Sequence, residues 1–215
     1  MAAGLMHSAV GLIPTRFNSR RFPGKSLKLI GDLPMIIHTY RRAKIAKSLD
    51  EVYICCDTKE VFDVAKSFKA NVILTSKNHK QGGDRIYEAY KKLQKKFDQI
   101  IDIQGDEPLI DPVNIDHVVK FHRKNKEYDI ILPNLPTKFS RDPNLVRLIF
   151  NRFKEVLYLT RSDTPYHFVS KTNKIFKHLS VISFKPQALK NFANYSHKSK
   201  LENLDVHEAL KQEEK

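Results

Sequence analysis

The sequence predicts an α/β fold built on a doubly wound, mostly parallel sheet. Short, β-branched apolar segments recur through the first half of the chain, and segments with apolar residues at helical spacing lie between them. Strands that alternate with helices form parallel βαβ units. In such sheets the loops that follow the strands meet at one edge, where ligands bind. The predicted strands, in order, are "AVGLIP", "EVYICCD", "NVILTS" and "QIIDIQ".

The segments between these strands have the pattern of helices. We predict a helix over "PMIIHTYRRAKIAKS", with Pro34 in its first turn, where a missing N–H is tolerated. A second helix is predicted over "KEVFDVAKSFK". A third begins near Asp84, after which apolar residues recur at helical spacing as far as Phe97.

The pattern changes after about residue 128, where strand-like segments have shorter connections. These segments are "DIILPNLP", "LVRLIFN", "EVLYLTR" and "HLSVISFK". The run "IFNRFKEVLY" is typical of a hairpin whose turn lies near Arg152 to Lys154. We therefore expect added strands and a projecting β-hairpin arm within a single domain over residues 1–215. The final segment, "KLENLDVHEALKQEEK", has a helical pattern.

The composition indicates a basic protein that acts on an anionic partner. The 215 residues have a formal net charge of +14, which favours nucleic acid, a membrane surface or phosphorylated small molecules. Lysine is spread along the whole chain, which suits a generally basic surface better than a nucleic-acid stripe. No apolar run is long enough to span a bilayer, and the N-terminus has no basic region typical of a signal peptide. We expect a cytoplasmic protein with no nucleic-acid partner and no membrane insertion.

The adjacent cysteines Cys55 and Cys56 lie in the predicted strand "EVYICCD". Adjacent cysteines rarely pair with each other, so we expect both to be small, free residues of the core.

A glycine-containing basic loop follows the first predicted strand. The stretch "IPTRFNSRRFPGK" holds Arg16, Arg20, Arg21 and Lys25, with Gly24 beside the lysine. Neither phosphate-loop motif with fixed glycine spacing, the Walker or the Rossmann type, occurs in the chain. Surface charge is one explanation of this stretch. A site for a nucleoside triphosphate is favoured, because that chemistry needs cations around the leaving pyrophosphate.

The predicted strand "QIIDIQ" continues into "GDEP", which places polar groups at the same edge of the sheet. An ordinary turn explains the acidic residues and the proline. Opposite a triphosphate, however, Asp106 becomes a natural Mg²⁺ ligand, since Mg²⁺ prefers carboxylate and phosphate oxygens. Gln104 offers an amide to a polar group of the substrate.

Several segments together resemble one enzyme family. They are "IPTRFNSRRFPGKSL", "GGDRI", "IQGDEPLI", "DPNLVRLIF", "YLTRSDTP" and "KHLSVISF". They stand in the order found in CMP-Kdo synthetases, the 3-deoxy-manno-octulosonate cytidylyltransferases, and the resemblance extends from about residue 9 to residue 211. It implies a nucleotide-diphospho-sugar transferase-like fold. It also implies CMP transfer from CTP to a 2-keto-3-deoxy sugar acid, with Mg²⁺ as cofactor, in lipopolysaccharide biosynthesis. A homodimer joined through residues after about 130 is implied as well.

The resemblance also implies roles for individual residues by their matched positions. The implied nucleotide-binding residues are Arg16, Ser19, Arg21, Lys25 and Arg85. The implied sugar-binding residues are Gln104, Arg161, His178, Glu202 and Asp205. Asp106 is implied as the metal ligand, and with Arg16, Arg21 and Lys25 it forms the implied catalytic set.

Some positions depart from the family pattern. Gln81 and Gly83 replace a serine and a threonine near the nucleotide, and Ser180 and Ile182 replace a glycine and a tyrosine near the sugar. Near the C-terminus, Asp205 replaces a glutamate and Lys211 an arginine.

The family pattern also continues past the last matched residue, into a strand and an aspartate that gives magnesium a second protein ligand. We therefore expect this chain to lack that strand and tail. Two alternatives follow from these departures: a relative that binds nucleotide without turnover, and a cytidylyltransferase for a different sugar acid.

Overall fold

The computed structural model describes residues 8–18, 22–79, 81–142, 144–164 and 174–196. The chain forms two compact units, the first made of residues up to 131 together with 180–193. The second is made of residues 132–179 and those from 194 onward.

The strands and helices of the described residues alternate in the first half of the chain, as predicted. The strands are β1 (Ala9–Pro14), β2 (Leu29–Ile30), β3 (Leu33–Pro34), β4 (Glu51–Cys56), β5 (Val72–Leu74), β6 (Gln99–Ile103), β7 (Ile130–Ile131), β8 (Asn134–Lys138), β9 (Arg147–Phe150), β10 (Val156–Thr160), β11 (Lys174–His178) and β12 (Val181–Phe184). The helices are α1 (Met35–Ala43), α2 (Lys59–Ser67), α3 (Gly82–Lys92), α4 (Pro112–Lys124) and α5 (Pro186–Ser196), with a 3₁₀ turn at Lys25–Leu27.

The first unit is organised around a six-stranded sheet with the order β5-β4-β1-β6-β12-β7. The pairs β4–β5, β1–β4 and β1–β6 are parallel. β12 is antiparallel to β6, and β7 is antiparallel to β12. The mostly parallel α/β sheet predicted from the sequence is therefore confirmed. The loops after β1 and β6 leave neighbouring strands at the same edge.

Helices cover both faces of this sheet. On one face Ile36 of α1 and Ile115 of α4 share the buried core with Ile13 of β1. The other face includes Phe184, whose ring centroid lies 5.5 Å from that of Phe192 in α5. Both cysteines are buried and free, as predicted. None of the helices within the described ranges is long and apolar enough to cross a membrane.

Side-chain caps explain where two of these helices begin. The Thr58 hydroxyl accepts a hydrogen bond from the Val61 N–H at the start of α2, at 3.4 Å. The Asp111 carboxylate accepts one from the Val113 N–H at the start of α4, at 3.0 Å. Each cap satisfies a backbone donor that the first helical turn leaves unpaired.

Helix α1 is shorter than predicted. Pro34 ends β3 and precedes the helix, which stops at Ala43 although the helical pattern continues to Ser48. Beyond the helix, the Ser48 N–H donates to the Asp116 carboxylate of α4 at 2.7 Å. Local turns continue to Ala46, whose N–H donates to the Ala43 carbonyl, and the tertiary bond from Ser48 then ends the helical pattern.

The second unit contains a four-stranded antiparallel sheet with the order β10-β9-β11-β8. β9 and β10 form the predicted hairpin, and the Asn151 side-chain oxygen accepts from the Phe153 and Glu155 N–H groups in its turn, at 2.9 and 3.1 Å. Phe150 of β9 packs edge-on against Phe176 of β11, with 4.7 Å between ring centroids.

Candidate active site

The basic loop is held beside the end of β4 by Asp57 and is closed by a hydrogen bond within the loop. The Phe17 N–H donates to the Asp57 carboxylate at 3.0 Å, and the Gly24 N–H donates to the Phe17 carbonyl at 2.8 Å. Gly24 has a φ of +69°, a left-handed conformation that favours glycine. This turn positions Lys25 at the start of the 3₁₀ turn. Arg16 is exposed, whereas Ser19 and Arg21 lie outside the described residues.

The loop after β6 approaches the end of β1 closely. A Cβ added to Gly105 would lie 2.6 Å from the Pro14 carbonyl oxygen, so only glycine fits between the two backbones. The Gly105 carbonyl also accepts a hydrogen bond from the Thr39 hydroxyl of α1 at 3.2 Å. The two loops predicted to share one edge of the sheet therefore meet there.

Lys25 and Asp106 form an ion pair where these loops meet. The Lys25 Nζ lies 2.9 Å from the Asp106 Oδ2, and the two side chains are 38% and 55% exposed. An ion pair at this exposure contributes little to stability. It can therefore open at low cost when an anion approaches the lysine or a cation approaches the carboxylate.

Arg85, predicted near the nucleotide, is buried and held by protein groups. Its Nη1 donates to the Thr75 hydroxyl at 2.6 Å and to the Ser76 carbonyl at 3.2 Å. Its Nη2 lies 3.6 Å from the Asp57 carboxylate. Because that carboxylate also accepts from the Phe17 N–H, Arg85 supports the basic loop through Asp57. Direct contact between Arg85 and a nucleotide stays a prediction.

Gln104 is half-buried, and both its backbone and its side chain donate hydrogen bonds. Its N–H donates to the Ser180 carbonyl at 3.2 Å, and its side-chain Nε2 donates to the Asp102 Oδ2 at 3.2 Å. Burial raises the pKa of Asp102 to about 7, and the hydrogen bond from Gln104 partly opposes that rise. We did not select Asp102 from the sequence. The available signal was an acidic residue within an otherwise apolar strand.

At two of the departures from the family pattern, Ser180 and Gly83, the structure shows a contact specific to the residue in this chain. The Ser180 hydroxyl donates to the Glu107 carboxylate at 2.7 Å. A Cβ added to Gly83 would lie 2.2 Å from the Phe192 ring, so the phenylalanine occupies the space of the threonine side chain.

Two further departures offer no such partner, and Asp205 and Lys211 lie outside the described residues. Ile182 is 8% exposed and pairs with Asp102 across the strands, without a group that can form a hydrogen bond. The Gln81 side-chain oxygen is buried and has no hydrogen-bond partner among the described residues.

His178 and Arg161 belong to the second unit. His178 ends β11, and burial lowers its pKa to about 4, although a hydrogen bond with the Pro133 carbonyl partly opposes this. Its imidazole is therefore neutral at physiological pH and can both donate and accept. Arg161 follows β10 and donates from Nη1 to the Asn144 carbonyl at 2.8 Å. Glu202 and Asp205 lie outside the described residues.

Arg147 is a buried residue of the second unit that sequence reasoning did not select. It is 1% exposed, and its guanidinium donates to the carbonyls of Arg161 and Ser162 at 3.0 and 2.6 Å. It also pairs with the Asp163 carboxylate at 2.9 Å. Arg147 therefore fixes the backbone at Arg161. An arginine within the apolar run "LVRLIF" was the signal for a buried charge.

The carboxylate of Asp106 fits the usual way in which proteins bind Mg²⁺. No cluster of three or more potential metal ligands occurs among the described residues, so they hold no all-protein metal cage. Mg²⁺ commonly binds through one or two carboxylates together with water and substrate phosphates. The exposed carboxylate of Asp106, beside Lys25, can supply one such ligand.

Comparison with known proteins shows which family this chain is similar to. A family model described as cytidylyltransferase matches residues 10–215. The 8-amino-3,8-dideoxy-manno-octulosonate cytidylyltransferase of Shewanella frigidimarina is 35% identical over 205 residues, covering 93% of this chain and 83% of that protein. The mitochondrial 3-deoxy-manno-octulosonate cytidylyltransferase of Arabidopsis thaliana is 36% identical over 189 residues, covering 86% of this chain and 65% of that protein.

One solved structure is similar to this chain over most of the length of both proteins. The structure of CMP:2-keto-3-deoxy-manno-octonic acid synthetase complexed with CTP superimposes with a TM-score of 0.81 at 29% identity. The match covers 94% of this chain and 86% of that one.

Proposed function

We infer that this chain, which belongs to the cytidylyltransferase family, transfers CMP from CTP to a sugar acid of the Kdo type. The products are a CMP-sugar and pyrophosphate. The observation on which the inference rests is the meeting of Lys25 and Asp106, 2.9 Å apart, at the edge where a parallel sheet binds ligands. The similarity to a CTP-bound synthetase supports the same assignment.

We propose that the reaction is a direct displacement at the α-phosphorus of CTP. The anomeric hydroxyl oxygen forms the new bond to phosphorus and releases its proton to water. The bond from phosphorus to the bridging oxygen breaks, and its electron pair leaves with pyrophosphate. Arg16, Arg21 and Lys25 bind the triphosphate and stabilise the departing charge. Magnesium, when bound at Asp106, supplies positive charge to the phosphate oxygens.

The Lys25–Asp106 ion pair links nucleotide binding to metal binding. In the structure each residue neutralises the other, so Asp106 faces a cation before any ligand arrives. Phosphate oxygens of CTP compete with Asp106 for Lys25. The released carboxylate is then more attractive to Mg²⁺, so we propose that the metal binds well only together with the nucleotide.

Pyrophosphate release tests the proposed reaction directly. The protein is incubated with CTP and Mg²⁺, and with Kdo, its 8-amino analogue or a sialic acid in parallel. We expect release with Kdo or the 8-amino analogue, because similar proteins bear the names of both activities. Absence of release with all three acids would contradict the proposal.

Ile182 and Gly83 favour one further candidate, a nucleotide-binding relative without turnover. Both positions have lost polar side chains that the family pattern provides, Gly83 near the nucleotide and Ile182 near the sugar, and the loss of a polar partner in a binding pocket is costly. Calorimetric titration with CTP and Mg²⁺ separates the two candidates. Binding of CTP without product formation would favour the second.

We propose that the protein acts as a homodimer in the cytoplasm and that its product serves lipopolysaccharide biosynthesis. The second unit supports the dimer, because it leaves Leu135, Phe153 and Leu157 between 44% and 61% exposed. Leu135 and Leu157 lie on the two edge strands of the four-stranded sheet, so each edge offers an exposed apolar side chain to another chain.

A further inference from the structure

Asp102 is a buried carboxyl group with an unusual set of neighbours. It is 5% exposed in the middle of the six-stranded sheet, between Leu12 of β1 and Ile182 of β12. Neither neighbour has a side chain that can form a hydrogen bond. The Oδ2 atom accepts from the Gln104 Nε2, and the Oδ1 atom has no partner within the described part of the chain. An ionised carboxylate in such surroundings is poorly compensated.

Few other titratable or charged groups approach Asp102. Cys55 of β4, the strand on the far side of β1, lies close enough for Asp102 to help raise its thiol pKa. Helix α3, which covers this part of the sheet, contributes Asp84 and Arg85 as buried charged residues. Arg85 is engaged by Thr75, Ser76 and Asp57, and no ion pair joins Asp102 to a cation in the described ranges.

The protonation state of Asp102 decides how it can bond to Gln104. An ionised carboxylate only accepts hydrogen bonds, so the NH₂ group of the Gln104 amide must face it. The amide oxygen, an acceptor, is then left for the substrate. A protonated carboxyl can instead donate to that oxygen, which turns the NH₂ group, a donor, towards the substrate. The structure has the first arrangement, with Nε2 on Asp102.

We propose that Asp102 is a positioning residue that determines which half of the Gln104 amide faces the sugar acid. This proposal rests on the proposed function, in which Gln104 contacts the sugar. Ionised Asp102 presents the amide oxygen, which accepts from a sugar hydroxyl, and this is the productive arrangement. Protonated Asp102 presents the wrong half of the amide. Burial places the pKa of Asp102 at about 7, so the two arrangements exchange near neutral pH.

The first test is the pH dependence of KM for the sugar acid at saturating CTP and Mg²⁺. For the unaltered protein we expect KM to fall by about tenfold between pH 6 and pH 8, the effect of one hydrogen bond. Asp102→Asn keeps the shape of the side chain but does not titrate, so its KM should not change over this range. Asp116→Asn, at a buried carboxylate whose pKa is lowered, should behave like the unaltered protein.

The second test does not depend on turnover. In ¹⁵N-labelled protein, the side-chain amide resonance of Gln104 is assigned through its loss in Gln104→Leu. It should shift between pH 6 and pH 8 with one ionisation, and this shift should vanish in Asp102→Asn. If CTP released no pyrophosphate with any of the sugar acids, the proposed function would be overturned. A Gln104 resonance unaffected by pH, or an unchanged pH dependence of KM in Asp102→Asn, would overturn the role of Asp102.

Discussion

Lys25 is the residue of the basic loop that lies beside Asp106, and we propose that it binds the triphosphate. We predict that Lys25→Ala lowers kcat/KM for CTP by about 100-fold, because it removes a cation that stabilises developing charge. Lys25→Arg should recover part of the loss, since it restores the charge but not the compact ammonium. Steady-state kinetics with varied CTP measure both effects. Lys28→Ala, an exposed lysine of the same segment, is the matched control. Unchanged kinetics of Lys25→Ala would remove Lys25 from the site.

Asp106 makes a separate prediction about the metal. Asp106→Asn should abolish turnover and leave the thermal unfolding temperature nearly unchanged, because the side chain is 55% exposed. The unaltered protein should bind Mg²⁺ weakly in calorimetry until CTP is present, since Lys25 neutralises the carboxylate. Asp63→Asn, an exposed residue of α2, makes the same change of charge and should retain activity. Robust turnover of Asp106→Asn at low Mg²⁺ would show that the metal binds elsewhere.

Asp102 should make stability depend on pH in an unusual direction. Its folded-state pKa of about 7 lies above the unfolded value of about 3.9. Between these values the folded state retains a proton that the unfolded state has released, so the free energy of unfolding falls as pH rises. The loss approaches on the order of 4 kcal/mol by pH 8. Asp102→Asn should avoid it, and urea unfolding at pH 5 and pH 8 measures the difference. Equal pH trends in both proteins would contradict this account.

Strands and helices could be predicted from the sequence where the local residue pattern favours the same structure as tertiary packing. β4 and β6 are short, apolar and β-branched, and both are strands of the central sheet. The ends of helices were less predictable. α3 stops at Lys92, and Phe97 is buried in the irregular segment between α3 and β6 rather than on the helix. Helical periodicity continued past both α1 and α3, because residues after a helix can be buried by the same core.

The close packing of α3 against α5 can be tested by substitutions of two glycines in α3. Gly83→Ala should destabilise the protein by about 1–3 kcal/mol, because the added Cβ would lie 2.2 Å from the Phe192 ring. Gly82→Ala, one residue earlier, meets the Pro14 side chain at an ordinary 3.5 Å and should be neutral or stabilising. Chemical denaturation of both variants measures the contrast. If Gly83→Ala matched Gly82→Ala in stability, the Phe192 ring would have room to move.

At the scale of the whole molecule, the sequence predicted the site where parallel-sheet topology determines it. The alternating pattern implied that the loops after β1 and β6 share one edge of the sheet. The structure adds that the two strands are neighbours, which lets Lys25 and Asp106 meet. Asp102 and Arg147 were missed because their roles depend on cross-strand neighbours and loop carbonyls that are distant in sequence. Buried charge within an apolar strand is visible in a sequence, but its partners are not.

The proposed homodimer can be tested at the exposed leucines of the second unit. Leu157 of β10 is 44% exposed, and Leu135 of β8 in the same sheet is 52% exposed. If the edge strand β10 joins the dimer interface, a charge placed at Leu157 would be buried unpaired there, which costs more than the lost apolar contact. Leu157→Glu should therefore shift the mass measured by light scattering from that of a dimer towards that of a monomer. Leu109→Glu makes the same substitution at a residue of the first unit that is 84% exposed, and it should leave the mass unchanged. A dimer that persisted in Leu157→Glu and dissociated in Leu109→Glu would place the interface on the first unit.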